Sequence, residues 1–210
     1  LGKLSQITRF LAASAAAFAI TAGSALAAGE IIGLDGQPVP NSLGFIEDGQ
    51  AQLLLGGARA AVDPWVANGE PNTTTINQLG ENLFALSGIE GTSNLSVISQ
   101  SGSNNRAVQA IAGNSNALLL DQSGQNNNVL QASIGNDNLQ LVGVSGQGND
   151  VAYVQAGNEL AGALNVGGSN STVVALQTEA SGRYLMPVGL GGLQDQVVIV
   201  VPGRMYVFNK

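Results

Sequence analysis

The sequence has no cysteine and no histidine, its aromatic residues amount to 4%, and its charged residues to 10%. Without thiols no disulfide can brace the chain. Lacking imidazole as well, it has no Ser-His-Asp or Cys-His constellation and no thiolate or histidine zinc site. Paired carboxylates would remain as acid and base, but Asp121, Asp137 and Asp150 are scattered along the chain and read as solvated surface residues. Seven basic residues stand against 14 acidic ones, giving a net charge of −7 and no positive footprint for nucleic acid or an anionic membrane surface. These shortages describe a chain that is not an enzyme and carries no cofactor or metal.

Glycine is the residue present in excess, with 29 copies, accompanied by many Asn, Gln and Ser. Such a composition fits either disorder or a repetitive β-structure, so periodicity has to decide. Glycine recurs at Gly80, Gly91, Gly102, Gly113, Gly124, Gly135, Gly146, Gly157 and Gly168, an unbroken interval of eleven. Three residues after most of them stands an asparagine: Asn94, Asn105, Asn116, Asn127, Asn138 and Asn149. The glycines are not a phosphate or dinucleotide loop, which needs a strand-turn-helix setting. Nor is Gly146-Gln147-Gly148-Asn149-Asp150 a calcium-binding nonapeptide array, because it stands alone.

Between glycines the residues alternate as strands do. The track at three, five, seven and nine places after each glycine carries no charge: Asn116, Leu118, Leu120 and Gln122 in one unit, Asn127, Val129, Gln131 and Ser133 in the next. Glu90, Arg106, Asp121 and Asp150 lie on the alternate track, and Glu81, Asp137 and Glu159 follow the glycines directly or by two places. Because an unpaired buried charge is costly, the charge-free track reads as the inward face. Each unit is then a strand of roughly five to seven residues closed by a turn of Gly and Asn, both tolerant of left-handed backbone.

Two units folded face to face make a rung of twenty-two residues, and like residues then stack at that interval. The predicted inward files are Asn94, Asn116 and Asn138; Asn105, Asn127 and Asn149; Gln78, Gln100 and Gln122; Gln109 and Gln131; and Gln155 and Gln177. At a rung spacing of about 4.8 Å each amide can donate to one neighbour and accept from the other. The expected fold is an all-β solenoid, a cross-β stack whose uncapped end rungs would expose unpaired backbone groups to another chain.

Around this array the chain divides into four parts. Residues 1–27 have the basic, apolar and Ala-x-Ala regions of a signal peptide, with cleavage expected after Ala27 or, failing that, Ala28. Its loss would take Lys3 and Arg9 with it and deepen the negative charge. Residues 28–77 lack the repeat, are punctuated by Pro38, Pro40, Pro64 and Pro71, and offer only short apolar patches such as Leu53-Leu54-Leu55 as strands, a poorly packed leader. Trp65 there is either packed on the first rung or part of a binding element. Residues 78–177 form the repeat, and residues 178–210 a hydrophobic tail, two strands hairpinned about Pro202-Gly203 that either cap the column or dock a partner.

The spacing resembles the curlin repeat, in which a Ser precedes Gln-x-Gly-x-x-Asn-x-Ala and a further Gln follows. Gln100-Ser101-Gly102-Ser103-Asn104-Asn105-Arg106-Ala107 matches its centre, and Gln122-Ser123-Gly124-Gln125-Asn126-Asn127-Asn128-Val129 matches with Val for Ala. Gln155-Ala156-Gly157 keeps only the opening, since Leu160 replaces the Asn, and Gln109 and Gln131 come earlier than the family's later Gln. The resemblance implies a structural subunit or nucleator of an extracellular amyloid fibre acting in adhesion and biofilm at a Gram-negative surface. Its partners would be further copies, other curli-like subunits, and outer-membrane secretion and nucleation components. The long leader and the apolar tail set the chain apart from simple major subunits, and a monomeric β-solenoid binding module of a surface adhesin is the alternative.

Overall fold

The computed structural model describes residues 31–33 and 43–210, apart from 202. The expected signal peptide, Pro38, Pro40 and Pro202 lie outside the described residues. Among the described residues three elements precede the repeat: β1 (Ile31–Gly33), β2 (Gly44–Phe45) and α1 (Asp48–Val66). Long and short strands then alternate: β3 (Thr73–Glu81), β4 (Phe84–Glu90), β5 (Leu95–Ser103), β6 (Arg106–Ala112), β7 (Ala117–Gln125), β8 (Asn128–Ile134), β9 (Leu139–Gln147), β10 (Asp150–Ala156), β11 (Ala161–Ser169) and β12 (Thr172–Thr178). All-β solenoid is the fold, with about six turns of stacked parallel strands.

From β3 to β10 each strand pairs with its equivalent twenty-two residues on, as in Gln78 beside Gln100 beside Gln122 in the long-strand sheet and Gln109 beside Gln131 in the short-strand sheet. The rung length expected from the glycine spacing is therefore the rung length of the fold. The strands themselves depart from expectation, since they measure nine and seven residues in alternation. The extra length comes from the glycines. Gly80, Gly102, Gly124, Gly146 and Gly168 are not turn residues but the eighth positions of long strands, whereas Gly91, Gly113, Gly135 and Gly157 do lie in turns.

Both sets keep φ between 102° and 149°, and at Gly124 the reason is steric. A methyl group there would overlap the carbonyl of Gly146 on the next rung. Two places after each glycine the backbone is left-handed, φ 53° at Asn82 and 56° at Asn126, and the position is filled mostly by Asn, Ser or Asp, which tolerate it.

The reading of residues 28–77 as a loose leader is corrected. Leu53, Leu54 and Leu55 belong to no strand but to the 19-residue helix α1. Asp48 sits in its first turn, where a negative charge suits the helix dipole, and the chain becomes extended at Ala67. Ala51, Leu55, Val62 and Val66 line one side of α1 and are buried. They meet Leu95, Val97, Ala117, Leu119, Leu139 and Leu141, which point out of the long-strand sheet. A helix of this length runs about 28 Å, and six rungs rise about as far. The alternate track of the long strands is thus a second buried face rather than a wet one, and Trp65 packs against this helix-sheet core.

Arg59 fixes the helix in register by donating to the carbonyls of Asp137 at 2.9 Å and Ser115 at 3.3 Å, both at the left-handed corners of successive rungs.

The inner core changes character along the column. Buried amides fill the rungs from β5 to β10, and aliphatic residues become more frequent toward the tail, with Val142, Val144, Leu164, Val166, Val173 and Ala175. The last turn is irregular: β13 (Tyr184–Leu185), β14 (Pro187–Val188) and β15 (Leu193–Gln194) with short 3-10 turns, burying Leu185, Leu190 and Leu193. β16 (Gln196–Val201) then adds in parallel to β12, and β17 (Arg204–Asn209) folds back antiparallel on β16. β1 pairs with β17 beyond it. The tail hairpin forms as expected and covers this end of the column, while β3 and β4 are the edge strands at the other end.

Substituting Gly124→Ala should lower stability by at least roughly 2 kcal/mol, since it combines an unfavourable φ with overlap on the next rung. Gly57→Ala, on a helical surface with nothing within 4 Å of the added carbon, should raise it by about 0.5–1 kcal/mol. Denaturant titration of the two variants measures the contrast; equal losses would show that the glycine stack does not set the rung.

Candidate functional site: the amide ladders and the open rung

All of the inward asparagines and glutamines expected from the sequence between Asn94 and Gln177 are buried. Asn94, Asn116 and Asn138 form one file and Asn105, Asn127 and Asn149 the other. In each, the side-chain oxygen accepts the backbone N–H of the residue one rung on. Asn94 Oδ1 accepts from Asn116 N at 2.9 Å, and Asn105 and Asn127 Oδ1 accept from Asn127 and Asn149 N at 3.0 Å. The amide nitrogen meanwhile donates to a glycine carbonyl of the next rung: Asn116 to Gly135 at 2.8 Å, Asn127 to Gly146 at 3.0 Å. One side chain therefore fastens the corner of its own rung to two backbone groups of the neighbour, which is why Asn recurs three places after Gly. The first file starts one rung earlier than expected, at Asn72, whose Oδ1 accepts Asn94 N at 2.9 Å.

The glutamines are linked side chain to side chain. Gln78 donates to Gln100 at 2.8 Å, Gln100 to Gln122 at 2.7 Å, and Gln109 to Gln131 at 2.7 Å. Gln122 ends its file, because Val144 follows, and turns its amide to the carbonyl of Asn127 at 2.8 Å. Gln155 donates to Gln177 at 2.9 Å, and Gln177 to the carbonyl of Arg183 at 2.8 Å. Beside them Tyr153 donates to Gln177 at 2.7 Å, and burial pushes its phenol above the usual range for proton loss. Its hydroxyl occupies the space a side chain at Gly162 would take, so the looser unit at residues 160–166 is the counterpart of a tyrosine. Gln140 and Gln155 each keep a buried Oε1 without a hydrogen-bond partner.

A further ladder was not expected. On the exposed corner Asn114 N bonds to Asn136 Oδ1 and Asn136 N to Asn158 Oδ1, each at 2.9 Å, and the series ends where Asn158 N donates to the Glu179 carboxylate at 2.8 Å. Its signal was an asparagine directly after alternate glycines, the same interval of twenty-two. Here each side-chain oxygen accepts from the rung before it, the reverse of the inner asparagine files.

Two of these files reach the edge rung of β3 and β4, one at Asn72 and one at Gln78. Gln78 is exposed, its Oε1 directed to no residue of the described chain, and Ile76, on the same inward side, is 41% exposed. Leu79 and Leu86 are also exposed, and Glu81 and Glu90 lie at the ends of the two strands. One corner of the rung is altered. Ser115, Asp137 and Glu159 each donate a backbone N–H to the rung before at 2.9–3.1 Å, and the equivalent place in the first rung is Pro71, which has no N–H. No protein-family model, curated protein or solved structure matches the chain.

Replacing Gln122 by Lys or Asn116 by Asp would place an unpaired charge in a fully buried file and should cost about 3–5 kcal/mol, whereas Asp121→Lys, at an exposed position of the helix-facing track of β7, should cost far less. Thermal unfolding reads the difference, and equal effects would reverse the assignment of faces. Burial raises the Asp121 carboxyl above 3.8, so the folded state resists its ionisation and stability falls as pH rises through the raised value. Asp121→Asn should accordingly be the more stable protein at neutral pH and lose that advantage below about pH 3.8, where the wild-type carboxyl is protonated in both states. Unfolding at pH 3 and pH 7 measures it.

Proposed function

We propose that the protein is a nucleating or terminal subunit of an extracellular, curli-like amyloid fibre, serving adhesion and biofilm formation at a Gram-negative cell surface. The observation that carries this reading is the asymmetry of the column: among the described residues one end is an unpaired rung, β3 and β4, that presents Gln78 and Asn72, and the other is covered by the tail hairpin and an irregular last turn. An edge strand with free backbone groups is a template for strand addition. Here it also specifies its partner. A rung whose glutamine falls on Gln78 and whose asparagine falls on Asn72 continues both files, which is the chemistry of curli-like repeats. A column open at one end suits the start or stop of a fibre better than its repeating middle. Secretion through the outer membrane and handling by nucleation components belong to the same reading.

The covered tail and Pro71 also favour a second function, a monomeric β-solenoid module of a surface adhesin, in which the first rung is blunted rather than offered. Seeding separates the two. A peptide of residues 95–134, two rungs of this repeat, serves as the incoming chain, and the full protein is supplied in substoichiometric amount. Seeds should shorten the lag of Congo-red-positive assembly at least about tenfold, the fibres should diffract on the meridian near about 4.8 Å, and seeds carrying Gln78→Lys should lose the effect while keeping their circular dichroism. No seeding by the wild type leaves the adhesin module as the function; assembled material without the 4.8 Å reflection ends the cross-β reading altogether.

A further inference from the structure

The two sheets of the column are treated differently by the rest of the chain. α1 covers the outer face of the long-strand sheet, but none of the described helices or strands packs on the outer face of the short-strand sheet, although that face is just as apolar. Its central file runs Leu86, Val108, Leu130, Ala152, Val174 and Ile199, in register on six successive strands with no polar residue. Leu86, Leu130, Val174 and Ile199 are 52%, 43%, 39% and 38% exposed. An apolar surface of this extent on a soluble protein marks a contact.

The neighbouring file, two residues further along each strand, runs Gly88, Ala110, Ala132, Val154 and Leu176. The two are opposite in size where it matters. Leu86 shares its strand with Gly88, Val108 with Ala110, and Leu130 with Ala132. At Ala152 and Val154 the order inverts. A two-fold axis parallel to the column and midway between the files lays each against the other at the same height, because a pure two-fold rotation has no axial shift. Leu86 then faces Gly88 of a second copy, Val108 faces Ala110, Leu130 faces Ala132, and Ala152 faces Val154. Four successive rungs interdigitate large against small on both sides of the axis, and two branched side chains meet at Val174 and Leu176 and again at Ile199 and Val201.

Charge agrees with this arrangement. The same axis sets the file beginning Phe84 and Arg106 against the file beginning Glu90 and Ala112. Arg106 already leans over the Phe84 ring, 5.3 Å from its centroid, toward the rung where Glu90 of the second copy would stand. Two symmetric ion pairs would close that margin. The face measures about 20 Å along the strands and about 24–29 Å along the column, roughly 1,000–1,200 Å² for both copies together, the low end of specific interfaces and the size of a weak dimer.

The geometry points to a parallel, face-to-face homodimer of this chain, formed through the outer face of the short-strand sheet. It is independent of the fibre reading, since it uses neither end of the column. The test is sedimentation equilibrium of the full chain carrying Gln78→Lys, which removes end-on pairing, from about 1 to 100 μM. A dimer is expected, weakened at least about 100-fold by Leu130→Glu and about tenfold or more by Ala132→Leu, with circular dichroism and melting temperature unchanged. The exchange variant Leu130→Ala with Ala132→Leu should dimerise again, since it only moves the bulk from one file to the other. A monomer at 100 μM, a dimer indifferent to Leu130→Glu, or an exchange variant that stays as weak as Ala132→Leu would each overturn the proposal.

Discussion

The asparagine that follows most of the repeat glycines by three places is the contact on which the column depends. Its carbonyl oxygen holds the backbone N–H of the same corner one rung on, and its nitrogen holds a glycine carbonyl of that rung. Corners are where a coiled chain would leave backbone groups unpaired, and a buried unpaired group costs on the order of 1–3 kcal/mol. The side chain supplies both missing partners at once, and it does so only if successive corners superimpose. Register, rung length and the approach of glycine to glycine are therefore consequences of one short amide. The strands between corners need only alternate in and out, which explains how amides, serines and aliphatic residues can replace one another along a file without disturbing the stack.

The part of the structure that repeats was legible because its constraint repeats. A glycine whose added carbon would strike the next rung must recur at every rung, and the asparagine three places on recurs at most of them. The buried track followed from the same count, since charge is excluded wherever the side chain turns inward. Features that occur once left a weaker trace. The helix over the long-strand sheet has its buried residues Ala51, Leu55, Val62 and Val66 spaced by whole turns, but Gly56, Gly57 and Pro64 argue against a helix on local propensity. Burial against five strands, β5 to β13 of the long-strand sheet, overrides that propensity, and burial against a distant surface cannot be seen in a local window. For the same reason Leu95, Leu119 and Leu141 looked like solvent-facing residues of a two-sided rung. The exchange of Tyr153 for the volume missing at Gly162 belongs to the same class, a compensation between strands rather than a pattern within one.

The composition of the core shifts along the column. Amides fill the rungs from β5 to β10, from Asn94 and Gln100 to Asn149 and Gln155, where each has a rung on either side. Valine and leucine become more frequent toward the covered end, and Gln177, the last inward amide of the repeat, donates to the carbonyl of Arg183. The edge rung carries only Asn72 and Gln78 as the starts of amide files and leaves Ile76 half-exposed beside them.

The opposed sense of the ladders has a consequence for length. Amide groups aligned head to tail along one axis add their dipoles, as peptide groups do in a helix, and a long one-way file would carry partial charge to its ends. In this column the inner asparagines point their oxygens toward the tail, while the exposed asparagines and the glutamines point theirs the other way. The fields oppose one another rung by rung, so the stack is close to electrically neutral along its axis. Length is then limited by where the chain stops supplying rungs, and not by a growing electrostatic strain.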